Sequence, residues 1–165
     1  MKSIIFDLDL TLVDTSSLEE SRRKRDWQLV YSLIPTTSLY DGVREVLDII
    51  QKNHANVTIV STAPHTYVEK IVTYHNIPTQ HIIGYHDAQP IKPHPASMLR
   101  AIELMKVSKN NVVSFGDRVI DIQASNSAGI ESVACFWGTK ERADLIKADY
   151  CHAIVHPMEI LTLIR

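Results

Sequence analysis

No apolar stretch in this sequence approaches the ~20 residues that a membrane-spanning helix requires. The only apolar run near the N-terminus, Ile4-Ile5-Phe6, is interrupted by Asp7 and Asp9, so no secretory leader is expected. Only two cysteines occur, Cys135 and Cys151, far apart and without a CxxC spacing. That excludes a disulfide framework and suits reduced, half-buried thiols in a cytoplasmic protein. Charge of one sign is also lacking. A net charge of −2 and a pI near 6.4 provide no field to recruit nucleic acid or an anionic membrane. The eight histidines show no metal-ligand spacing, with His81 and His86 falling across a strand and a loop. Internal repeats, low-complexity tracts and Gly/Ser linkers are absent.

What remains is an ordinary globular composition, 45% apolar and 22% charged. A chain of 165 residues is expected to form one domain, residues 1–165, burying ~70% of its unfolded surface. Short β-branched runs recur at Ser3–Phe6, Val57–Val60, His81–Ile83, Val112–Phe115, Ser132–Cys135 and Ala153–Val155. Most are continuously apolar rather than alternating, as strands covered on both faces are. Amphipathic segments separate them, at 42–52, 65–75, 95–106, 118–128, 139–147 and 157–164. The pattern predicts an α/β fold: a three-layer, open parallel sheet of five to six strands, Rossmann-like, wound through helical crossovers.

Residues 15–40 break this rhythm. No strand candidate lies between Thr15 and Tyr40. Ser16 or Ser17 is placed to cap a helix with Glu19 and Glu20 in its first turn. Trp27, Val30, Tyr31 and Ile34 give a partial apolar stripe that Pro35 ends. A short helical insertion between the first strand and its crossover helix is expected.

In open α/β sheets, ligands bind beyond the carboxyl ends of the strands. Asp7 and Asp9 follow the first run, Ser61 and Thr62 the second, and Gly116, Asp117 and Asp121 the run at Val112–Phe115. Lys92 lies in "IKPHP", before a helix. Four carboxylates, two hydroxyls and an ammonium should therefore share one rim. Aspartate is depleted from strands and costly to bury unpaired, so "DLDLT" demands a chemical reason.

DLDLT, the Ser61 that ends "VTIVS", Lys92 of "KPHP" and "GDRVID" together resemble the four ordered motifs of haloacid dehalogenase-like (HAD) phosphohydrolases. "LYDGVREVLDII" and "SAGIESVACFWG" are similar to its phosphoglycolate-phosphatase-like branch. The resemblance implies a phosphatase that hydrolyses a phosphate monoester through an aspartyl-phosphate. It makes Asp7 the nucleophile and Asp9 the acid and base that serves leaving oxygen and water in turn. Ser61, Thr62 and Lys92 would hold the phosphate. Lys92 would also neutralise developing charge and position Asp7. The implied cofactor is Mg²⁺, which takes oxygen ligands. Its ligands would be Asp7, the Asp9 carbonyl and Asp117, with Asp121 acting through water or from behind them. Thr11 would brace the first loop, and Gly116 would let the backbone approach the metal. Asp14, His65 and Arg118 lie near the rim without a defined role.

The simpler readings are that Asp7 and Asp9 cap a turn and that Asp117 caps a helix. Arg22-Arg23-Lys24-Arg25 reads as a solvated face balancing Glu19, Glu20 and Asp26, with steering of an anionic substrate as the alternative. Compared with the branch it resembles, the 15–40 insertion is a truncated cap. A comparatively open site follows. The substrate is expected to be a small molecule or a bulky phosphorylated one, with openness favouring a bulky or macromolecular ester or closure by a second subunit through Trp27 and Tyr31. A phosphotransferase or pyrophosphatase would use the same core, and a non-catalytic phospho-ligand-binding protein would keep the fold.

Overall fold

Each of the six short apolar runs becomes a strand of one parallel sheet. The structure is a computed structural model that describes residues 1–165. Its main strands are β1 (Ser3–Phe6), β4 (Val57–Val60), β5 (His81–Ile83), β6 (Val112–Gly116), β7 (Glu131–Cys135) and β8 (His152–Ile154). Their order is β5-β4-β1-β6-β7-β8, and every neighbouring pair is parallel. Two further strands, β2 (Val13–Asp14) and β3 (Ser38–Leu39), pair antiparallel in a sheet of their own.

Helices cover both faces, which is why the strands carry apolar residues without alternation. Ile4 and Phe6 of β1 point to one face. There they pack with α3 (Val43–Lys52), α4 (His65–Tyr74) and α8 (Ile160–Leu163). Ile5 points to the other, toward α5 (Ala96–Met105) and α6 (Val119–Ala128). A smaller cluster joins Ile122, Ala134 and Phe136 to Leu145 of α7 (Arg142–Leu145). In α3 the buried residues are Val43, Val46, Leu47 and Ile50, the stripe its spacing predicts. The three-layer α/β expectation holds, with six strands.

Several boundaries differ from expectation for local reasons. β8 sits one residue early, because the Val155 N–H donates to the Glu159 carboxylate instead of a neighbouring strand. The expected helix at 139–147 shrinks to α7. Ahead of it, Thr139 Oγ1 donates to the Asp117 carbonyl at 2.6 Å and accepts from Glu141 N, which holds a turn. Residues 157–164 split into a 3-10 turn and α8.

The 15–40 segment contains two short helices, α1 (Glu19–Arg23) and α2 (Trp27–Ser32). Neither Ser16 nor Ser17 caps α1; Ser16 instead donates to Asp14. Asp26 caps α2, accepting from Leu29 N at 3.1 Å. The absence of any strand before Tyr40 is also corrected, since β3 closes the neck of the segment against β2. Two residues are too few to register as a periodic pattern. Cys135 is fully buried and Cys151 exposed, both as free thiols, so neither is half-buried as expected. No helix is long and apolar enough to cross a membrane.

Candidate active site

β1 lies at the centre of the sheet, where the chain's excursions turn to either side, and ligands of open α/β sheets bind at such switch points. After Phe6 the chain leaves the sheet in a tight turn. The Leu8 carbonyl accepts from Leu12 N at 3.0 Å and Val13 N at 3.2 Å. Leu10 adopts a left-handed φ of 63°, a conformation that costs a non-glycine residue about 1 kcal/mol. This turn brings Asp7 and Asp9 to one cavity of about 410 Å³, whose lining also includes Ser61, Thr62, Lys92, Asp117 and Asp121. The seven residues singled out from the sequence thus share one pocket.

Lys92 links three of its walls. Its Nζ donates to Asp7 Oδ1 at 2.9 Å, Asp121 Oδ1 at 2.6 Å and the Val60 carbonyl at 3.0 Å. An ammonium has three donors, and all three are directed at protein oxygens. Burial alone would lower the Lys92 pKa, but Asp121 and Asp7 hold it above the ordinary lysine value. Thr11 Oγ1 donates to Asp117 Oδ1 at 3.1 Å and more distantly, at 3.4 Å, to Asp7 Oδ2. It joins the ends of β1 and β6, consistent with its expected bracing of the loop.

Asp117 caps nothing. The start of α6 is closed by Asp121, whose Oδ2 accepts from Arg118 N at 2.9 Å. Burial is the first cause that pushes Asp117 up to about 8, and the charges of Asp7 and Asp121 add to it. Asp7 is pushed up to about 7, again first by burial and then by Asp121 and Asp9, against the opposing pull of Lys92. A buried group of carboxylates held this way is short of positive charge. Asp7, Asp117 and Asp121 can each offer an oxygen, and those atoms lie within 4.8 Å of one another. The set is all hard oxygen, which suits Mg²⁺. Asp121 has a protein donor on each oxygen, whereas Asp117 Oδ2 accepts from none.

Gly116 has a steric reason of its own: a Cβ there would stand 2.4 Å from the Asp121 Cβ, so the glycine makes room for that side chain. Ser61 Oγ accepts from Ala63 N at 3.1 Å, which leaves its hydroxyl hydrogen available to a ligand. Thr62 and Arg118 also line the cavity. Asp14 and His65 do not, because Asp14 binds Ser16 and His65 lies 2.5 Å from Asp87.

The insertion contributes more than its charge pattern suggested. Of the four consecutive basic residues, Arg23, Lys24 and Arg25 are exposed, but Arg22 turns inward. Its Nη1 lies 2.8 Å from Asp9 Oδ1, and its guanidinium covers the Tyr67 ring at 4.4 Å. Arg22 is therefore not part of a solvated face. Tyr67 OH donates to the same oxygen at 2.6 Å, as does Thr15 Oγ1 at 2.7 Å. Tyr67 was not legible as a site residue, because an aromatic on the buried face of a helix reads as core. Trp27 packs against Tyr67 with ring centroids 6.2 Å apart. Across the cavity mouth, Glu19 of α1 pairs with Lys140, and Arg118 with Glu141.

Comparison with known proteins agrees with this arrangement. The family model for haloacid dehalogenase-like hydrolases matches residues 19–135. The chain belongs to that family. The matched segment takes in Ser61, Lys92, Asp117 and Asp121 and begins after Asp7 and Asp9. A pyrophosphatase PpaX of Bacillus mycoides is 29% identical over 119 residues, 67% of this chain and 54% of that protein. A phosphoglycolate phosphatase of Xylella fastidiosa is 31% identical over 107 residues, covering 64% and 47%. One from Escherichia coli K12 is 28% identical over 126 residues, covering 74% and 50%. The chain spans about half the length of the curated relatives it matches.

Among solved structures, a predicted phosphoglycolate phosphatase from Haemophilus somnus superposes with a TM-score of 0.86. It is 21% identical, with 100% of this chain and 98% of that one covered. A hydrolase from Pseudomonas syringae gives a TM-score of 0.82 at 17% identity, covering 99% and 97%. At these identities the likeness establishes the fold.

Proposed function

We propose that this chain is a Mg²⁺-dependent phosphatase that hydrolyses a small phosphate monoester through an aspartyl-phosphate on Asp7. The observation that carries the reading is the group of Asp7, Asp117 and Asp121 with ligand oxygens within 4.8 Å, in which the buried Lys92 bridges Asp7 and Asp121. Asp7 and Asp117 would hold the metal together with the Asp9 carbonyl, and Asp121 would orient the set from behind. When bound there, Mg²⁺ offsets the carboxylate charge that would otherwise repel a phosphate dianion.

The chain's own residues supply the remaining chemistry. Lys92 holds Asp7 Oδ1 in place, leaving Asp7 to attack phosphorus in line with the leaving oxygen. Ser61 and Thr62 bind the phosphoryl oxygens at the end of β4. Because all three Lys92 donors point to protein oxygens, its main role is to fix Asp7 rather than to grip the phosphate. Asp9 protonates the leaving oxygen and then takes a proton from the water that opens the aspartyl-phosphate. A cavity of about 410 Å³, partly walled by Glu19 and Arg22 of the truncated cap, fits a small phosphorylated metabolite better than a macromolecule. Inorganic pyrophosphate is the second reading, favoured by the name of the Bacillus mycoides relative.

The test is turnover of an aryl phosphate with and without Mg²⁺, beside Asp7→Asn. Hydrolysis that needs the metal and disappears in the variant is the expected result. Turnover that survives either change would reject the reading. A panel of phosphate esters and pyrophosphate then ranks the substrates.

A further inference from the structure

The two oxygens of Asp9 are not equivalent. Oδ1 accepts three hydrogen bonds, from Tyr67 OH at 2.6 Å, Thr15 Oγ1 at 2.7 Å and Arg22 Nη1 at 2.8 Å. No donor of the protein reaches Oδ2. The donors come from three places: the entry to the insertion, helix α1 within it, and α4 of the core. Arg22 is itself fixed, with its guanidinium stacked over the Tyr67 ring and Nη1 also 3.3 Å from the Tyr67 hydroxyl. Tyr67 is fully buried, so its hydroxyl is an immobile anchor. Three donors on one carboxylate oxygen, one of them cationic, exceed what a turn requires and stop the carboxylate from rotating.

We propose that Arg22 is a positioning residue for proton transfer at Asp9: with Tyr67 and Thr15 it immobilises Oδ1 and so assigns the exchange of the proton to Oδ2. The inference rests on the phosphatase reading given above. In the first half-reaction, Oδ2 gives its proton to the ester oxygen as the P–O bond breaks and the Asp7 oxygen bonds to phosphorus. In the second, Oδ2 takes a proton from the attacking water as the acyl-phosphate P–O bond breaks and inorganic phosphate leaves. Arg22 exchanges no proton in either step. A carboxylate free to swing would be out of reach for part of the time, and a misplacement of about 1 Å can cost about a hundredfold in rate.

The contribution of a proton donor depends on the leaving group. An alkoxide must be protonated as it departs, whereas a nitrophenolate leaves unaided. The experiment measures kcat and KM of wild type, Arg22→Ala and Arg22→Lys on nitrophenyl phosphate and on a simple alkyl phosphate. Since kcat/KM covers only the steps to aspartyl-phosphate formation, it isolates the proton donation. Arg22→Ala is expected to lower kcat/KM about 30-fold or more for the alkyl ester and about 3-fold for the aryl ester. Arg22→Lys, or guanidinium added to the alanine variant, should recover part of the alkyl activity. Tyr67→Phe should shift the ratio in the same direction. An equal fall for both esters, or a raised KM with unchanged kcat, overturns the proposal. So does a lowered melting temperature with an unaltered alkyl-to-aryl ratio. Asp7→Asn runs in parallel. If that variant keeps its turnover, the phosphatase reading itself fails; if it is inactive while both esters respond equally to Arg22→Ala, only the role of Arg22 fails.

Discussion

Lys92 Nζ lies closer to Asp121 Oδ1, at 2.6 Å, than to Asp7 Oδ1, at 2.9 Å. The ammonium that faces the candidate nucleophile is therefore anchored from α6. Removing it strands two carboxylates in a buried site. Lys92→Ala is expected to destabilise the metal-free protein at about pH 8 by about 3–5 kcal/mol, the usual cost of leaving a buried charge unpaired. Turnover should fall about 10²–10³-fold. Urea denaturation and steady-state kinetics check the two effects separately.

Asp117 leads to an opposite result. Burial and its acidic neighbours push it up to about 8, so its ionised form is unfavourable without a cation. Asp117→Asn keeps the shape, retains a partner for the Thr11 hydroxyl and removes the repulsion. The variant should melt at a higher temperature than wild type in metal-free buffer at about pH 9, yet lose all activation by Mg²⁺. A variant destabilised under those conditions would contradict this account.

The pH dependence follows from the same two carboxyls. In the folded chain Asp7 is pushed up to about 7 and Asp117 to about 8, from an ordinary value of 3.8. Between pH 3.8 and 8 the folded state thus retains protons that the unfolded state has released. Their contribution to stability is present in full below the unfolded value and is lost as the pH rises through 7 and 8. Metal-free protein should therefore melt lower at about pH 9 than at about pH 6, and Asp117→Asn should flatten the slope. Below its pKa, each proton that must leave for the metal to bind weakens apparent affinity about tenfold per pH unit. Mg²⁺ should accordingly raise the melting temperature more at pH 8 than at pH 6.

Gly116 offers a test of packing alone. Any Cβ at this position collides with Asp121, which cannot retreat because it is held by Lys92 and by Arg118 N. Gly116→Ala should cost about 1–3 kcal/mol, as overpacking of a tight site does. It should also depress kcat through the displaced Asp121–Lys92 pair. Thermal melts and kinetics on the purified variant measure both.

The sequence made the sheet legible because a strand buried on both faces is a continuous apolar run, and each main run of this kind lies in the sheet. Asp7, Ser61 and Asp117 stood out for a related reason: a polar residue directly after such a run marks the rim. Lys92 was legible only through the motif around it. Arg22 was hidden, since four consecutive basic residues give no hint of which side chain turns inward. That choice is made by Tyr67, 45 positions away in the chain. Tyr67 was hidden because an aromatic whose ring fills the core looks the same whether or not its hydroxyl has work to do. The steric need for Gly116 was hidden because spacing alone cannot show that Asp121, in the first turn of α6, folds back against it.

The pairing of Val13–Asp14 with Ser38–Leu39 makes the insertion leave and re-enter the core at adjacent points. Loop-closure entropy rises only slowly with length, by about 0.6 kcal/mol for each doubling. The neck thus behaves as a socket: segments of very different size can be fitted there without moving Asp9. In this chain the cationic side chain that reaches back through the opening to Asp9 is Arg22, at 2.8 Å. If the proposed role of Arg22 holds, the shortest insertion that keeps it is a question of reach rather than of bulk.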